Sequence, residues 1–322
     1  MKENLFSQPD TAFTPPIETP ACAVFVRQGA LGDFILSLPL LDLLAGNSSS
    51  YITVIAKSAF RMLIPDYIRY DAFVDIEVPI VQELFGLHGN GVASYSTIPT
   101  HCPLYLFGTP DDKLSESLRS RYGYTVYFIP PRPEGPLHAS DAFIRHAGFS
   151  RPETSRHKPL WDKQRVCNIK GGVLWVHPGS GSKRKNYPPY LFVDSARTWS
   201  VKTGRMVVFS FGEADHELYR IMYPELEGAT WVQAVHTKLT ASELKEKLLA
   251  TAGIYLGNDS GVSHLAGALG IPTVTLFKST DPRIWRPLGY GVVLEADTVS
   301  PIAADTILQK LLKLEKQTVA RI

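Results

Sequence analysis

The 322-residue sequence is short of cysteine. Cys22, Cys102 and Cys167 stand far apart, and no two form a Cys-x-x-Cys pair. That usage argues for neither a disulfide framework nor a zinc site. No apolar run approaches the ~20 residues that span a bilayer. The first residues, with Glu3, Asp10 and scattered prolines, lack the basic and apolar regions of a secretory signal, so the cytoplasm is the expected compartment. Excess charge is also missing: at a net +2 the chain has no bulk electrostatic hold on nucleic acid. Gly-x-Gly-x-x-Gly and Gly-x-x-x-x-Gly-Lys-[Ser/Thr] cannot be aligned, so neither a dinucleotide fingerprint nor a P-loop is indicated. There is no Asp-x-Asp pair to hold a divalent cation beside a diphosphate, and no short-period repeat. What remains is an ordinary globular composition, 44% hydrophobic, in a chain long enough for two domains.

Those domains are legible as two successive strand–helix alternations. Residues 1–20, with Pro9, Pro15, Pro16 and Pro20, read as an extended strap. Residues 21–155 form a first domain, opening on a continuous apolar run at 21–26 of the kind buried on both sheet faces. A nearly all-apolar helix over 34–44 follows, with Pro39 interrupting it or lying near its start. Further strands are expected at 51–56, 73–78, 104–107 and 125–129, loops over 79–103, and a helix at 140–147. Residues 149–170 read as a linker with one short strand. A second domain, 165–300, repeats the alternation, with strands at 172–176, 206–211, 231–235, 253–257 and from 273. Its helices are expected at 188–198, 215–222, 241–250 and 262–269, with Thr240 and Glu243 as a capping box for the third. The closing segment, 301–322, holds an amphipathic helix that can pack on either domain, including back on the first. Such alternation means an α/β fold of two parallel-sheet domains facing across a cleft.

Three polar segments fall at strand ends. In Gly29-Ala30-Leu31-Gly32-Asp33 the glycines permit a tight turn and close backbone approach to a ligand. Asp33 suits either an N-cap or a group facing that ligand. His177-Pro178-Gly179-Ser180-Gly181-Ser182-Lys183-Arg184-Lys185 offers hydroxyls, glycines and three cations, fitting a diphosphate or a solvated basic loop. Asn258-Asp259-Ser260-Gly261 leads into a small-residue helix whose N–H groups and dipole favour an anion. Ala266, Gly267 and Ala268 let that helix lie close on its sheet. Asp259 suits a cap or a ligand contact, and His264 a satisfied histidine or a contact. One local turn is a poor source for a Ser-His-Asp triad, so hydrolysis is set aside.

In this order the segments resemble glycosyltransferase family 9, the ADP-heptose:lipopolysaccharide heptosyltransferases and their relatives. The matching residues are Arg27-x-Gly29-Ala-Leu-Gly32-Asp33, Leu38-Pro39, and His177-Pro178-Gly179-Ser180-Gly181. Then come Lys185-Asn186-Tyr187-Pro188, with Tyr187 where the family has Trp, and Gly212-Glu-Ala-Asp215-His216-Glu217. Last are Gly257-Asn-Asp259-Ser-Gly261-Val-Ser-His264, Leu269-Gly270-x-Pro272 and Asp281-Pro282-x-x-Trp285-x-Pro287.

The resemblance implies a GT-B fold of two Rossmann-like domains, with the nucleotide sugar on the second and the acceptor on the first. It implies inverting transfer without a metal or other cofactor, from a donor expected to be ADP-linked. Asp33 is then the general base, beside Gly32. Lys185, with Lys183 or Arg184, meets the leaving diphosphate, and Ser180, Gly181, Asp259, Ser260, Gly261 and His264 line the sugar and phosphates. Asp215 or Glu217 takes the ribose hydroxyls. Heptose on a lipopolysaccharide core is the default product, made at the inner face of the cytoplasmic membrane through peripheral contact. Two other functions fit the same motifs: a GT-B nucleotide-sugar epimerase, and a catalytically silent nucleotide-sugar-binding paralogue serving as a partner protein.

Overall fold

A computed structural model describes residues 21–46, 51–85, 98–151, 158–161, 171–295 and 302–319. The strap, most of the linker with its expected short strand, and residues 86–97 of the expected loop region lie outside those residues.

The first half runs β1 (Cys22–Arg27), α1 (Leu31–Ala45), β2 (Tyr51–Ala56), a 3-10 turn (Ser58–Leu63), β3 (Ala72–Asp75), α2 (Pro79–Leu84), β4 (Pro103–Phe107), α3 (Asp112–Tyr122), β5 (Thr125–Ile129) and α4 (Ala139–His146). The second runs β6 (Val173–His177), α5 (Pro189–Thr203), β7 (Val207–Phe211), α6 (His216–Leu226), β8 (Val232–Thr237), α7 (Ala241–Thr251), β9 (Ala252–Asn258), α8 (Gly261–Ala268), β10 (Thr273–Phe277), α9 (Pro282–Trp285), β11 (Gly291–Glu295) and α10 (Ala304–Val319). The strands make two parallel sheets, ordered β3-β2-β1-β4-β5 and β11-β10-β9-β6-β7-β8.

The apolar runs fix the two centres. Val24, Phe25 and Val26 of β1 are no more than 1% exposed, and every residue of β9 is buried, as strands covered on both faces must be. Where the sequence pattern was weaker, the elements differ from expectation. α1 passes through Pro39 without interruption. Residues 79–84 are helical, with Pro79 at the first position, where its missing N–H has no intrahelical role. α3, read as no element at all, is capped by Asp111 and closed by Gly123 at φ 71°. β3 stops at Asp75, three residues short of expectation, and β11 extends the second sheet by an unexpected strand. α10 packs on α5 and on the second sheet, not back on the first.

α1 is held between the halves. Its residues Leu36, Leu40 and Leu41 belong to one buried cluster with Leu265, Ala266 and Leu269 around α8. The two helices touch at their first turns. A Cβ on Gly32 would stand 2.6 Å from His264 Cδ2, and one on Gly261 would stand 2.8 Å from Leu31 Cβ. Each helix leaves the carboxyl end of a central strand, so their meeting brings the carboxyl edges of both sheets face to face. Gly267 serves a neighbour other than the sheet, because its bare face receives the Leu288 carbonyl and Pro287.

Candidate active site

In the second sheet the connections diverge between β6 and β9, the point where open α/β sheets hold ligands. The β6–α5 loop is tied there to the end of β9. Asn258, fully buried, donates to the Pro178 carbonyl at 2.7 Å and accepts from the Tyr187 N–H at 3.3 Å. Tyr187 is buried among the apolar residues of α5 and the sheet, and its hydroxyl donates to the Phe277 carbonyl at 2.7 Å. Ser180 braces the loop from within, its hydroxyl lying 2.7 Å from the Ser182 carbonyl and 2.6 Å from Asn186 Oδ1.

This fixed loop sends Lys185 into the cleft. Lys185 Nζ donates to Asp259 Oδ2 at 2.6 Å, and Thr280 Oγ1 donates to the same oxygen at 2.5 Å. His264 Nε2 stands 3.6 Å from Asp259 Oδ1. Burial opposes ionisation of Asp259, yet His264, Lys185 and Thr280 outweigh it and hold the carboxyl well below the usual range. The cap of α8 is Ser260, whose hydroxyl accepts from the Ser263 N–H at 3.3 Å, so Asp259 organises cations instead of capping. His264 Nδ1 is buried and has no hydrogen-bond partner among the described residues. The cavity in front of these groups has a volume of about 550 Å³. Asp33, Arg132, Gly181, Lys185, Ser260 and Trp285 line it, drawn from both halves.

A smaller cavity of about 300 Å³ adjoins it, sharing Ala30, Gly181, Ser260 and Gly261. Its wall is a buried relay. Trp175 Nε1 donates to Ser210 Oγ at 2.9 Å, and that hydroxyl lies 3.0 Å from His177 Nδ1. The indole can only donate, whereas the Ser210 hydroxyl can donate to Nδ1 or accept from it; the other ring nitrogen of His177, Nε2, stands 3.5 Å from Asp215 Oδ2. Burial lowers the His177 pKa and keeps the ring neutral, against the pull of Asp215 and Ser210. Asp215 is 4% exposed and accepts from the Gly212 N–H at 2.8 Å. The exposed carboxylate on this cavity is Glu213. Glu217 lies on the surface, paired with Lys183 and lining neither cavity. Arg184 lines neither as well.

Across the cleft, Asp33 is the third residue of α1, not its cap. It accepts from the Ala30 N–H at 3.1 Å, and Gly29 at φ 129° clears the space its carboxylate occupies. Arg27 fixes it from below. The guanidinium is 2% exposed, lies 4.2 Å from the Phe107 ring centre, donates through Nε to the Asp33 carbonyl at 3.3 Å and stands 3.6 Å from Asp33 Oδ1. Burial lowers the Arg27 pKa to about 10, with Asp33 opposing the shift, so it stays charged.

One carboxylate with an exposed edge therefore faces a cation and a helix N-terminus across a single cavity, an arrangement suited to deprotonating a nucleophile while an anion departs. Arg132, Thr280, Glu213 and the Arg27 brace were not singled out from sequence. Glu213 lies beside Gly212 in the segment that carries Asp215 and has no local mark of its own, and Arg132 lies in a Pro-rich stretch with no signature. Among the described residues no group of His, Cys, Asp and Glu is arranged to hold a metal, and no helix is long and apolar enough to cross a membrane.

Residues 142–297 match the sequence model of glycosyltransferase family 9 (heptosyltransferase). The sequence matches no curated protein. Several solved structures are similar in fold. The glycosyl transferase family 9 structure from Veillonella parvula superposes with a TM-score of 0.68 at 15% identity, over 92% of this chain and 97% of that one. E. coli ADP-heptose lps heptosyltransferase II gives 0.64 at 17% identity, over 92% and 98%. E. coli heptosyltransferase WaaC with ADP gives 0.63 at 16% identity, over 91% and 99%. At these identities the likeness is one of fold.

Proposed function

We propose that the chain is a glycosyltransferase of family 9, whose sequence model matches residues 142–297, and that it transfers a sugar, with inversion and without a metal, from a nucleotide sugar to a glycan hydroxyl. ADP-heptose is the default donor, since similar folds are those of an ADP-heptose transferase and of a transferase holding ADP. A lipopolysaccharide core or related glycan, met at the inner face of the cytoplasmic membrane, is the default acceptor. The acceptor falls to residues 21–155 and the donor to residues 165–300.

One observation carries this reading: Asp33 from the first sheet and Lys185 from the second line the same cavity. The acceptor hydroxyl attacks the anomeric carbon and loses its proton to Asp33, while the bond from that carbon to the diphosphate oxygen breaks on the opposite face. Charge gathering on the diphosphate meets Lys185, Arg132 and the first-turn N–H groups of α8, which a helix cannot satisfy internally. That set of donors supports transfer without a metal. The nucleoside lies in the smaller cavity, with Glu213 accepting from the ribose and Asp215 shaping the floor.

A thermal-shift screen with ADP, GDP, UDP and their sugars tests the proposal. A ligand at ~100 times its Kd adds about 2.7 kcal/mol to stability. An ADP-sugar is expected to raise Tm and to yield ADP only when an acceptor is added. No shift with any nucleotide would overturn the reading.

A further inference from the structure

The first sheet has its own reversal. In the order β3-β2-β1-β4-β5 the connections diverge between β1 and β4, and the carboxyl ends of these strands open a cavity of about 670 Å³. Position and volume are those of a small-molecule site. Apolar side chains make up half of its lining, with Val26, Leu106 and Phe128 at the strand ends, Ile76 beyond β3, and Val81 and Phe85 from the α2 region, while Gln28, Gln82 and Thr109 are its uncharged polar residues. Its charged lining residues, among those described, are Lys57, Glu77 and Asp111. One cation thus stands against two carboxylates, and Asp111 is engaged as the α3 cap, accepting from the Leu114 N–H at 3.0 Å. An acceptor bearing several phosphates or carboxylates would lose hydration here and meet, among the described lining residues, a single cation, Lys57, set against two carboxylates.

The cavity lies beside the base. Gly29 lines it and Ala30 lines the donor cavity, so a single peptide unit partitions the two, and the N–H of that unit is the one Asp33 accepts at 3.1 Å. An acceptor that fills the apolar side and reaches past this peptide brings a hydroxyl to Asp33.

We infer that this cavity takes an uncharged apolar group attached to the acceptor sugar, so that the acceptor is an amphipathic glycoside and not a phosphorylated core sugar. The inference rests on Asp33 being the base that faces the acceptor, and it narrows the substrate class of the transferase reading.

Calorimetry on the intact protein with ADP present, across methyl, butyl and hexyl β-glucosides and phenyl β-glucoside, tests it. Affinity is expected to climb along the alkyl series, up to about fourfold for each methylene that becomes buried, with glucose 6-phosphate binding no more tightly than glucose. Phe128→Lys, at a half-buried strand end, is expected to flatten the series and leave ADP affinity unchanged. The wild-type series decides the matter even where that variant folds poorly. Equal affinity for every glucoside, or preference for the phosphorylated sugar, overturns the inference. Loss of ADP binding with the chain-length dependence intact would instead sink the transferase reading and leave the cavity's preference standing.

Discussion

Lys185 and Asp259, 74 residues apart in the chain, share a hydrogen bond of 2.6 Å at the point where the β6–α5 loop meets the end of β9. The Asp259 carboxylate is 4% exposed and also receives Thr280, so the ammonium is held at one place on the cavity wall. A cation fixed in this way loses less rotamer freedom when it meets a phosphate than a free surface lysine does. Lys183 and Arg184, its neighbours, have no such anchor on the cavity.

The pair should be visible in the pH dependence of stability. The folded Asp259 carboxyl is held below its unfolded value of 3.8, so its contribution is complete above about pH 4 and drains away as pH falls through and below 3.8. Lys185→Ala is expected to lower Tm at pH 7, because it leaves a buried carboxylate short of its counter-charge. It should also weaken ADP binding. Acid titration of Tm is expected to be steeper for the wild type than for Asp259→Asn, and equal slopes would remove this role.

Asp33→Asn keeps the size of the side chain and an oxygen for the Ala30 N–H, but cannot take a proton. Transfer is expected to fall by about 10²–10⁴ with the donor Kd preserved. A single-turnover assay alongside calorimetry separates the two. Turnover near that of the wild type would dismiss Asp33 as base.

Glu213, on the smaller cavity, and Glu217, off it, make opposite forecasts. Glu213→Gln is expected to weaken ADP binding by roughly tenfold, the cost of one hydrogen bond to a charged group. Glu217→Gln, which removes only a surface partner of Lys183, is expected to leave binding unchanged. Adenine, adenosine and ADP compared on both variants by calorimetry would locate the effect at the ribose, and a reversed pattern would return that role to Glu217.

Gly261→Ala forces a methyl group against Leu31 Cβ at 2.8 Å and the Gly32 nitrogen at 3.1 Å. Overpacking of this kind costs about 1–3 kcal/mol. A lowered Tm is expected, together with slower transfer, because the first turns of α1 and α8 are pushed apart. An unchanged melting curve would show that the two helices separate freely.

Sequence pattern delivered the central strands because a run such as Val24-Phe25-Val26 is compatible with little besides a doubly covered strand. It gave Asp33, Lys185 and Asp259 their places at strand ends for the same reason. It could not deliver their partnership, since 74 residues separate Lys185 from Asp259 and nothing local marks the bond. The helix cap went to Ser260 and not Asp259, because that acid is engaged by Lys185 and Thr280 from distant segments. α3 was illegible because Leu118 is its one fully buried residue and a mostly polar helix leaves no apolar stripe. Glu213 and Asp215 are two residues apart, and only the 3-10 turn that follows β7 decides which of them is buried.

The peptide between Gly29 and Ala30 is a septum, with one flanking residue on each of two chambers. The apolar chamber and the chamber lined by Asp33 and Lys185 have no lining residue in common, so under the proposed roles the loops of the first sheet can be grafted or diversified to recruit another acceptor while the nucleotide end stays intact. The septum itself has no such freedom. A side chain at Gly29 would require an L residue at φ 129° and would put its first carbon 2.9 Å from Asp33 Oδ2. Under the proposed roles, altered selectivity and altered turnover at Gly29 become one and the same lesion.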